Sequence, residues 1–320
     1  MVIEVNRIFI CMKSDIEQPL LPYEPRLLDN QKVKKLSALI LRPALKSIEI
    51  FLLAVRAEID VELQALRPEK NGKRYPLGQC LEITQAMEKR FMKMQNMYLR
   101  GAAADGRAAL LKFLRAGGGI RQIWGDLRGE YFQNAFLIGD YYVDVSNDTV
   151  NPAKPKVEIL PFENSQLSPI QNHHHFARLT QRYWKAHAFP NIILPEYAAH
   201  SPVLLVFSDG RVQFQPTSIY MTALTLRDRF TPSEKFLADF EMPINLFENL
   251  KEILSSAHFQ VPIDLSTGKA IARASCQDWR VLLDSKGKEF VGDKLVLSMQ
   301  SILAANDALK NTRLRLITQE

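Results

Sequence analysis

The chain has 320 residues, of which 47% are hydrophobic and 24% charged, so it can bury a full core as one large domain or two of ordinary size. Its formal net charge is +6, and its three cysteines form no Cys-x-x-Cys pair, which argues against a disulfide framework and a thiolate zinc site. We therefore expect a soluble, globular protein of a reducing, cytoplasmic compartment.

Neither of the two most apolar segments is expected to insert into a membrane. The first eleven residues carry an acid at Glu4 and have neither a basic n-region nor a small-residue cleavage site, which is atypical of a signal peptide and favours a strand. Residues 36–55 contain three charged side chains and Pro43, which would be costly in a bilayer. No membrane span is predicted.

Apolar residues at steps of three and four predict a long amphipathic helix from Ile48 to Leu66. A second apolar face, made by Ile50, Leu53 and Val61, predicts that this helix is buried on two sides within a helical layer. Further helices are expected at 83–98 and 103–116.

After three glycines at 117–119, the pattern changes to short β-branched and aromatic runs, which predict an antiparallel meander. A hairpin is expected around Asp209-Gly210, the strongest turn signal in the chain. The strands predicted from these runs are 120–124, 131–138, 141–146, 156–160, 203–207 and 212–215.

Two capping boxes predict helix starts at Ser168 and Thr231, since each hydroxyl residue is followed by proline and then, at the third position, by Gln or Glu. The remaining elements are expected to be helices at 244–257 and 295–309 and strands at 280–283, 289–291 and 313–318.

The predicted fold class is α+β, with a helical N-terminal layer followed by a mostly antiparallel sheet with flanking helices. We expect a helical N-terminal region at 1–116 and an α+β region at 117–320, with the alternative that the two form one continuous domain.

Positive charge is concentrated in residues 89–128. This window holds nine basic residues and two acidic ones, a net charge of +7 in a chain whose total is +6. Such a local surplus is expected to attract an anion to one surface. Arg121 and Arg128, near the predicted meander, are the expected contacts for an anionic small molecule. Alternatively, the cations form a solvated helix face, or dock a nucleic-acid or protein partner.

Asp140, Asp144 and Asp148 form an acid-rich cluster that could supply oxygen ligands to a divalent cation such as magnesium. Asp144 and Asp148 would lie about 13 Å apart along a regular strand, at ~3.3 Å per residue, so they converge only if the chain turns at Ser146-Asn147. The alternative is that Asp140 and Asp148 are turn residues.

Strand alternation places Tyr142 and Asp144 on one face, with an amide from the neighbouring strand, Gln133 or Asn134, beside whichever face lines a cleft. We expect Asp144 to be at least half buried and to act as a catalytic base or ligand, with Tyr142 and Asn134 contacting the substrate. The predicted hydrogen-bond partners of Asp144 are Arg128, Asn134 or a histidine of the run at 173–175.

The histidine run at 173–175 cannot hold one metal ion from a regular helix, because successive residues point about 100° apart. We expect His173 to be partly buried and His174 to be exposed, with His174 as a second catalytic candidate. A structural or solvated role is the alternative.

Two functions are consistent with these patterns. The first is a soluble enzyme that acts on a phosphorylated or nucleotide-like substrate with the help of a divalent cation. The alternative is a binding protein without turnover, which docks a protein or nucleic acid through its basic helical half.

Overall fold

The computed structural model describes residues 19–215 and 218–314, without the side chains of residues 288 and 289. The described chain divides into two compact units: Tyr23–Pro169, called here the N-terminal unit, and the described residues of Met1–Pro22 and Ile170–Glu320, called the C-terminal unit. The boundary expected at 116/117 falls inside the N-terminal unit, because the residues on both sides of it bury one common core.

The N-terminal unit begins with helices. After α1 (Gln31–Leu36) the chain forms a short π-helix and a 3-10 helix around Pro43 and then enters the long helix α2. The other elements are α2 (Leu45–Leu66), the strands β1 (Glu69–Lys70) and β2 (Lys73–Arg74), α3 (Cys80–Met92) and α4 (Gly101–Arg115).

Helix α2 buries the predicted apolar stripe, including Ile48, Leu52, Val55 and Ile59. It contacts both α3 and α4, so it is central to the helical layer. The prediction of a second buried face was wrong. Val61 is 73% exposed and Leu53 is 37% exposed, because this face points away from the sheet and its neighbouring helices.

The predicted meander is confirmed. Its strands are β3 (Ile120–Leu127), β4 (Tyr131–Ile138), β5 (Tyr141–Asp144) and β6 (Glu158–Pro161), followed by α5 (Phe162–Ser165) and β7 (Leu167–Ser168). The spatial order is β6-β5-β4-β3-β7, and all neighbours are antiparallel.

One face of this sheet packs against the helices. Phe136 on β4 lies opposite Val143 on β5, and both belong to the same buried cluster as Phe51 on α2 and Phe113 on α4. Helices layered on an antiparallel sheet define the α+β class that the sequence predicts.

The C-terminal unit contains a three-stranded antiparallel sheet, in the order β10-β9-β8, and the remaining helices. The hairpin expected at Asp209-Gly210 is confirmed. The elements are α6 (His173–Leu179), β8 (Ala186–Pro190), β9 (Val203–Phe207), β10 (Val212–Phe214), α7 (Ile219–Arg227), α8 (Thr231–Asp239), α9 (Ile244–Ser256) and α10 (Leu265–Leu309).

Of the two predicted capping boxes, neither forms. Ser168 lies in β7, paired with Asp126, and helix α6 begins later, where Asn172 Oδ1 accepts a bond from the His175 N–H at 2.8 Å. Helix α8 does begin at Thr231, but its cap residue is Phe230, in a left-handed conformation without a side-chain cap.

The strands predicted at 280–283 and 289–291 are wrong, because both segments belong to α10. The short apolar run near Leu283 suits a strand or a buried helix equally well. Gly287 interrupts the helix with φ 78° and ψ 176°, and helix continues on both sides. The strand expected in the first eleven residues and most of that at 313–318 lie outside the described residues.

Within the described part of the chain, no helix has the length and apolar character that crossing a bilayer would require.

Candidate functional site

Asp144, at the end of β5, is fully buried. Its Oδ2 accepts hydrogen bonds from Gln133 Nε2 at 2.7 Å and from the Tyr142 hydroxyl at 3.1 Å. Its Oδ1 accepts from the Ser146 N–H at 2.7 Å and from Ser146 Oγ at 3.0 Å. Both oxygens of the carboxylate therefore accept hydrogen bonds, Oδ2 from groups of the same sheet and Oδ1 from the turn that follows β5.

Burial is the largest influence on this cluster. It raises the pKa of Asp144 to about 6, although the bonds from Ser146, Tyr142 and Gln133 oppose the shift. Burial, together with the neighbouring Asp144, also raises the pKa of the Tyr142 phenol well above its usual value. Asp144 can thus change its protonation near neutral pH, which a surface carboxylate does not do.

The expected burial of Asp144 is confirmed, but neither Arg128 nor Asn134 supplies its bonds. Arg128 donates to Glu158 at 3.2 Å. Asn134 lies opposite Trp124 on the other face of the sheet, where it accepts from Gln122 and donates to Cys80 Sγ. Gln133 and not Asn134 is therefore the amide that shares a face with Asp144.

Asp148 is held by an arginine that the sequence analysis did not single out. Arg56 on α2 is completely buried and makes two bonds to Asp148, Nη1 to Oδ1 at 2.9 Å and Nη2 to Oδ2 at 3.0 Å. It also donates to the Val145 carbonyl and to Asp60. The only signal in the sequence is that Arg56 interrupts the buried stripe between Val55 and Ile59.

The expected magnesium site is not assembled from Asp140, Asp144 and Asp148. Asp140 lies in the β4–β5 turn, where its N–H donates to Ser37 Oγ. The carboxylates of Asp144 and Asp148 already accept hydrogen bonds from the protein groups named above. Across residues 19–215 and 218–314, no group of three His, Cys, Asp or Glu side chains could hold a metal ion. The chain does turn at Ser146-Asn147, which was the condition for convergence, but the Asp148 carboxylate pairs with Arg56.

Arg121, the other expected substrate contact, fastens the segment that precedes α1. Its guanidinium donates to the carbonyls of Glu24 and Arg26. Because Arg128 is paired with Glu158, both arginines have structural partners within the N-terminal unit.

The histidine run begins α6. His173 is buried, and its Nε2 lies 3.0 Å from Thr225 Oγ1 and 3.3 Å from Ser233 Oγ; burial lowers its pKa to about 3. His174 is half-buried against Phe236, with Nε2 3.0 Å from Asp239 Oδ2. His173 is thus more deeply buried than expected, and His174 is only partly exposed; both contacts are compatible with a structural role.

The basic residues of the 89–128 window that lie at the helix ends differ from Arg121 and Arg128 in their exposure and pairing. Lys89 and Lys93 at the end of α3 and Lys112 and Arg115 at the end of α4 are exposed. Among the ion pairs between described residues, none involves these four side chains. By contrast, Arg90 pairs with Glu62, and Arg107 donates to a backbone carbonyl. The uncommitted positive charge of the window is therefore on the helical surface.

The segment from Lys89 to Arg100, called here the α3–α4 connection, also exposes apolar side chains. Met92 is 68% exposed and Tyr98 is 81% exposed. Arg100 Nε and Nη2 donate to the Tyr98 hydroxyl at 3.0 and 2.8 Å. Cations and an aromatic ring thus share one surface.

Two of the clefts among the described residues lie in the C-terminal unit. One, of about 400 Å³, is lined by residues 19–22, by the end of α7 and by the Arg229–Asp284 ion pair near Gly287. The other, of about 190 Å³, is lined by residues 194–197 and 258–260. Neither is lined by a residue predicted to act on a substrate. Comparisons with protein-family models, curated proteins and solved structures found no match.

Proposed function

We propose that this protein is a binding protein that holds an anionic macromolecule against the basic surface of its N-terminal helices. The observation that carries the proposal is the exposure, without ion-pair partners among the described residues, of Lys89, Lys93, Lys112 and Arg115. Charge that is not used internally is available to an external anion.

The spacing of the cations favours a large partner. Helix α4 separates Arg100 from Arg115, a distance of about 22 Å at ~1.5 Å per residue. A small anion is normally enclosed by converging groups in a concave site. Cations at both ends of a helix suit a polymer that can contact several of them at once.

The pairing of the other arginines supports the same interpretation. Arg121 and Arg128 hold carbonyls and a carboxylate of the N-terminal unit, so using them for a substrate would break existing bonds. Binding an anion to the four helical cations would break no ion pair seen among the described residues.

The experiment compares two variants with the same change in net charge. In the first, four exposed cations of the N-terminal helices are replaced by glutamine; in the control, four exposed cations of the C-terminal unit are replaced. The first set is Lys89, Lys93, Lys112 and Arg115, and the control set is Arg178, Lys235, Arg273 and Lys310. On immobilised heparin, a polyanion, we expect the first variant to elute at lower salt than the control. Equal elution of the two variants would contradict the proposal.

An enzyme acting on an anionic substrate is the second candidate, and one observation favours it. Asp144 is a buried carboxyl whose pKa burial raises to about 6, a property that is common among catalytic acids and bases. Thermal shifts with magnesium and with a panel of nucleotides and sugar phosphates test this candidate. Stabilisation that Asp144→Asn abolishes would support it, and a flat response in both proteins would count against it.

A further inference from the structure

We infer that the partner is a single-stranded nucleic acid and that Tyr98 is a stacking platform for one of its bases. This inference rests on the proposed function, since it names the class of anion that the same basic surface binds. The Tyr98 ring, the adjacent guanidinium and the exposed lysines of the α3–α4 connection carry the argument.

The exposure of Tyr98 is fixed by the backbone. Met97 and Arg100, at the two ends of this four-residue segment, have extended backbone, in which alternate side chains point to opposite sides. Met97 and Leu99 pack against the core of the N-terminal unit, and the carbonyl of Met97 accepts a bond from Arg107. Tyr98 and Arg100 must therefore point outward, and the ring has a defined position although most of its surface is exposed.

Arg100 completes a recognition unit with the ring. Its guanidinium carbon lies 5.3 Å from the ring centroid, and two of its nitrogens donate to the phenol oxygen. The remaining N–H groups can bind a phosphate oxygen, because a guanidinium carries five donors in a rigid fork. A base on the ring and its phosphate on Arg100 would use neighbouring parts of one nucleotide.

The two lysines extend the positive surface from this unit. Lys89 lies in the last turn of α3 and Lys93 is its C-cap residue, so both lie at the C-terminal end of this helix. Between residues 89 and 107 the sequence has one acid, Asp105. A nucleic-acid backbone can follow these cations while its bases reach the aromatic ring.

The ring distinguishes a single strand from the other polyanions. Duplexes keep the faces of their bases stacked inside, and an acidic peptide gains nothing from an aromatic face. A single strand exposes bases that stack on aromatic side chains for about 1–3 kcal/mol each.

Fluorescence anisotropy with a labelled oligothymidylate of about 12 nucleotides tests the inference. Tyr98→Ala is expected to weaken binding by about 5- to 150-fold without changing the salt dependence, whereas Tyr98→Phe keeps most of the affinity. The combined Lys89→Gln and Lys93→Gln variant is expected to weaken binding and to make the salt dependence shallower. Val61→Ala, at another exposed apolar residue of the same unit, is the control and should bind as the parent does.

The outcomes separate the inference from the proposed function. Undiminished binding by Tyr98→Ala, or equal affinity for a duplex or for poly-glutamate, would overturn the inference while heparin retention still supported a polyanion-binding surface. Loss of oligonucleotide binding only in the lysine variant would also overturn the role of Tyr98. Thermal melts of each variant would serve as the control that it is folded.

Discussion

Arg56 and Asp148 form a two-bond ion pair in the interior of the N-terminal unit, joining helix α2 to the turn that follows β5. The pair extends to the surface through Asp60, which also accepts bonds from Tyr75 and Lys156. This network fixes the position of the helical layer against the sheet.

Replacing Arg56 by methionine should therefore destabilise the protein strongly. The change leaves Asp148 and the Val145 carbonyl buried without their partner, at a cost of about 3–5 kcal/mol. Arg90→Met, which removes the more exposed pair with Glu62, is the control and should cost about 1 kcal/mol or less. Urea unfolding measures both, and equal losses would refute the structural role of Arg56.

Gly106→Ala should destabilise the contact between α2 and α4. A Cβ atom at this position would lie 2.0 Å from the Ser47 carbonyl oxygen, a backbone atom that cannot turn aside. Alanine normally stabilises a helix relative to glycine by about 1 kcal/mol, but here the clash should prevail, with a net cost of about 1–3 kcal/mol. Gly119→Ala, where nothing lies within 4 Å, is the control. A rise in melting temperature for Gly106→Ala would show that the helices are farther apart.

Acid should destabilise the C-terminal unit through its buried histidines. Burial lowers the pKa of His200 to about 3, against 6.5 for an ordinary histidine, so between these values the unfolded chain binds a proton that the folded chain does not. The stability is fully present above pH 6.5 and is lost as the pH falls towards 3. His200→Phe retains a ring beside Trp279. Between about pH 7 and pH 4.5, its free energy of unfolding, measured with urea, should fall by less than that of the parent protein. The exposed His187→Phe is the control, and an unchanged pH dependence in His200→Phe would contradict the assignment.

Titration of Asp144 should change stability with pH in the opposite direction to titration of His200. Because its pKa is raised from 3.8 to about 6 by burial, the folded state holds the proton more tightly, and the resulting stabilisation is lost as the pH rises through this window. Asp144→Asn does not titrate, and Gln133 can turn the amide oxygen that has no hydrogen-bond partner in the described structure towards the new NH₂ group. Relative to the parent, this variant should gain free energy of unfolding from pH 4 to pH 7, by up to about 1.4 kcal/mol per pH unit. A constant difference across that range would show that Asp144 titrates normally.

The local patterns of the sequence were sufficient for much of the fold. The stripe that contains Leu52 and the alternation around Val143 predicted elements that the structure contains, since each pattern reports burial on one face. These patterns led to wrong predictions where the same local sequence is compatible with two kinds of structure. The run ending at Leu283 suited a strand or a buried helix, and Ser168 offered a cap that strand pairing with Asp126 took away.

The candidate site was harder to predict, because its determinants are remote in sequence. The cost of an unpaired buried carboxylate predicted that a buried Asp144 would have partners nearby, but the partner of Asp148 lies 92 residues earlier in the chain. Whether a cation is paired or available depends on such distant contacts. The composition of residues 89–128 therefore could not show that Arg121 and Arg128 are committed to the fold while the helical lysines are exposed.

The salt dependence of polyanion binding tests the central claim most directly. The affinity for a labelled heparin fragment is measured at a series of salt concentrations for the parent protein, for the variant without Lys89, Lys93, Lys112 and Arg115, and for the C-terminal control with the same net charge. We predict weaker binding and a shallower dependence of log affinity on log salt only for the helical variant, because fewer counterions are released when it binds. Identical slopes and affinities for the two variants would contradict the assignment of binding to the N-terminal helices.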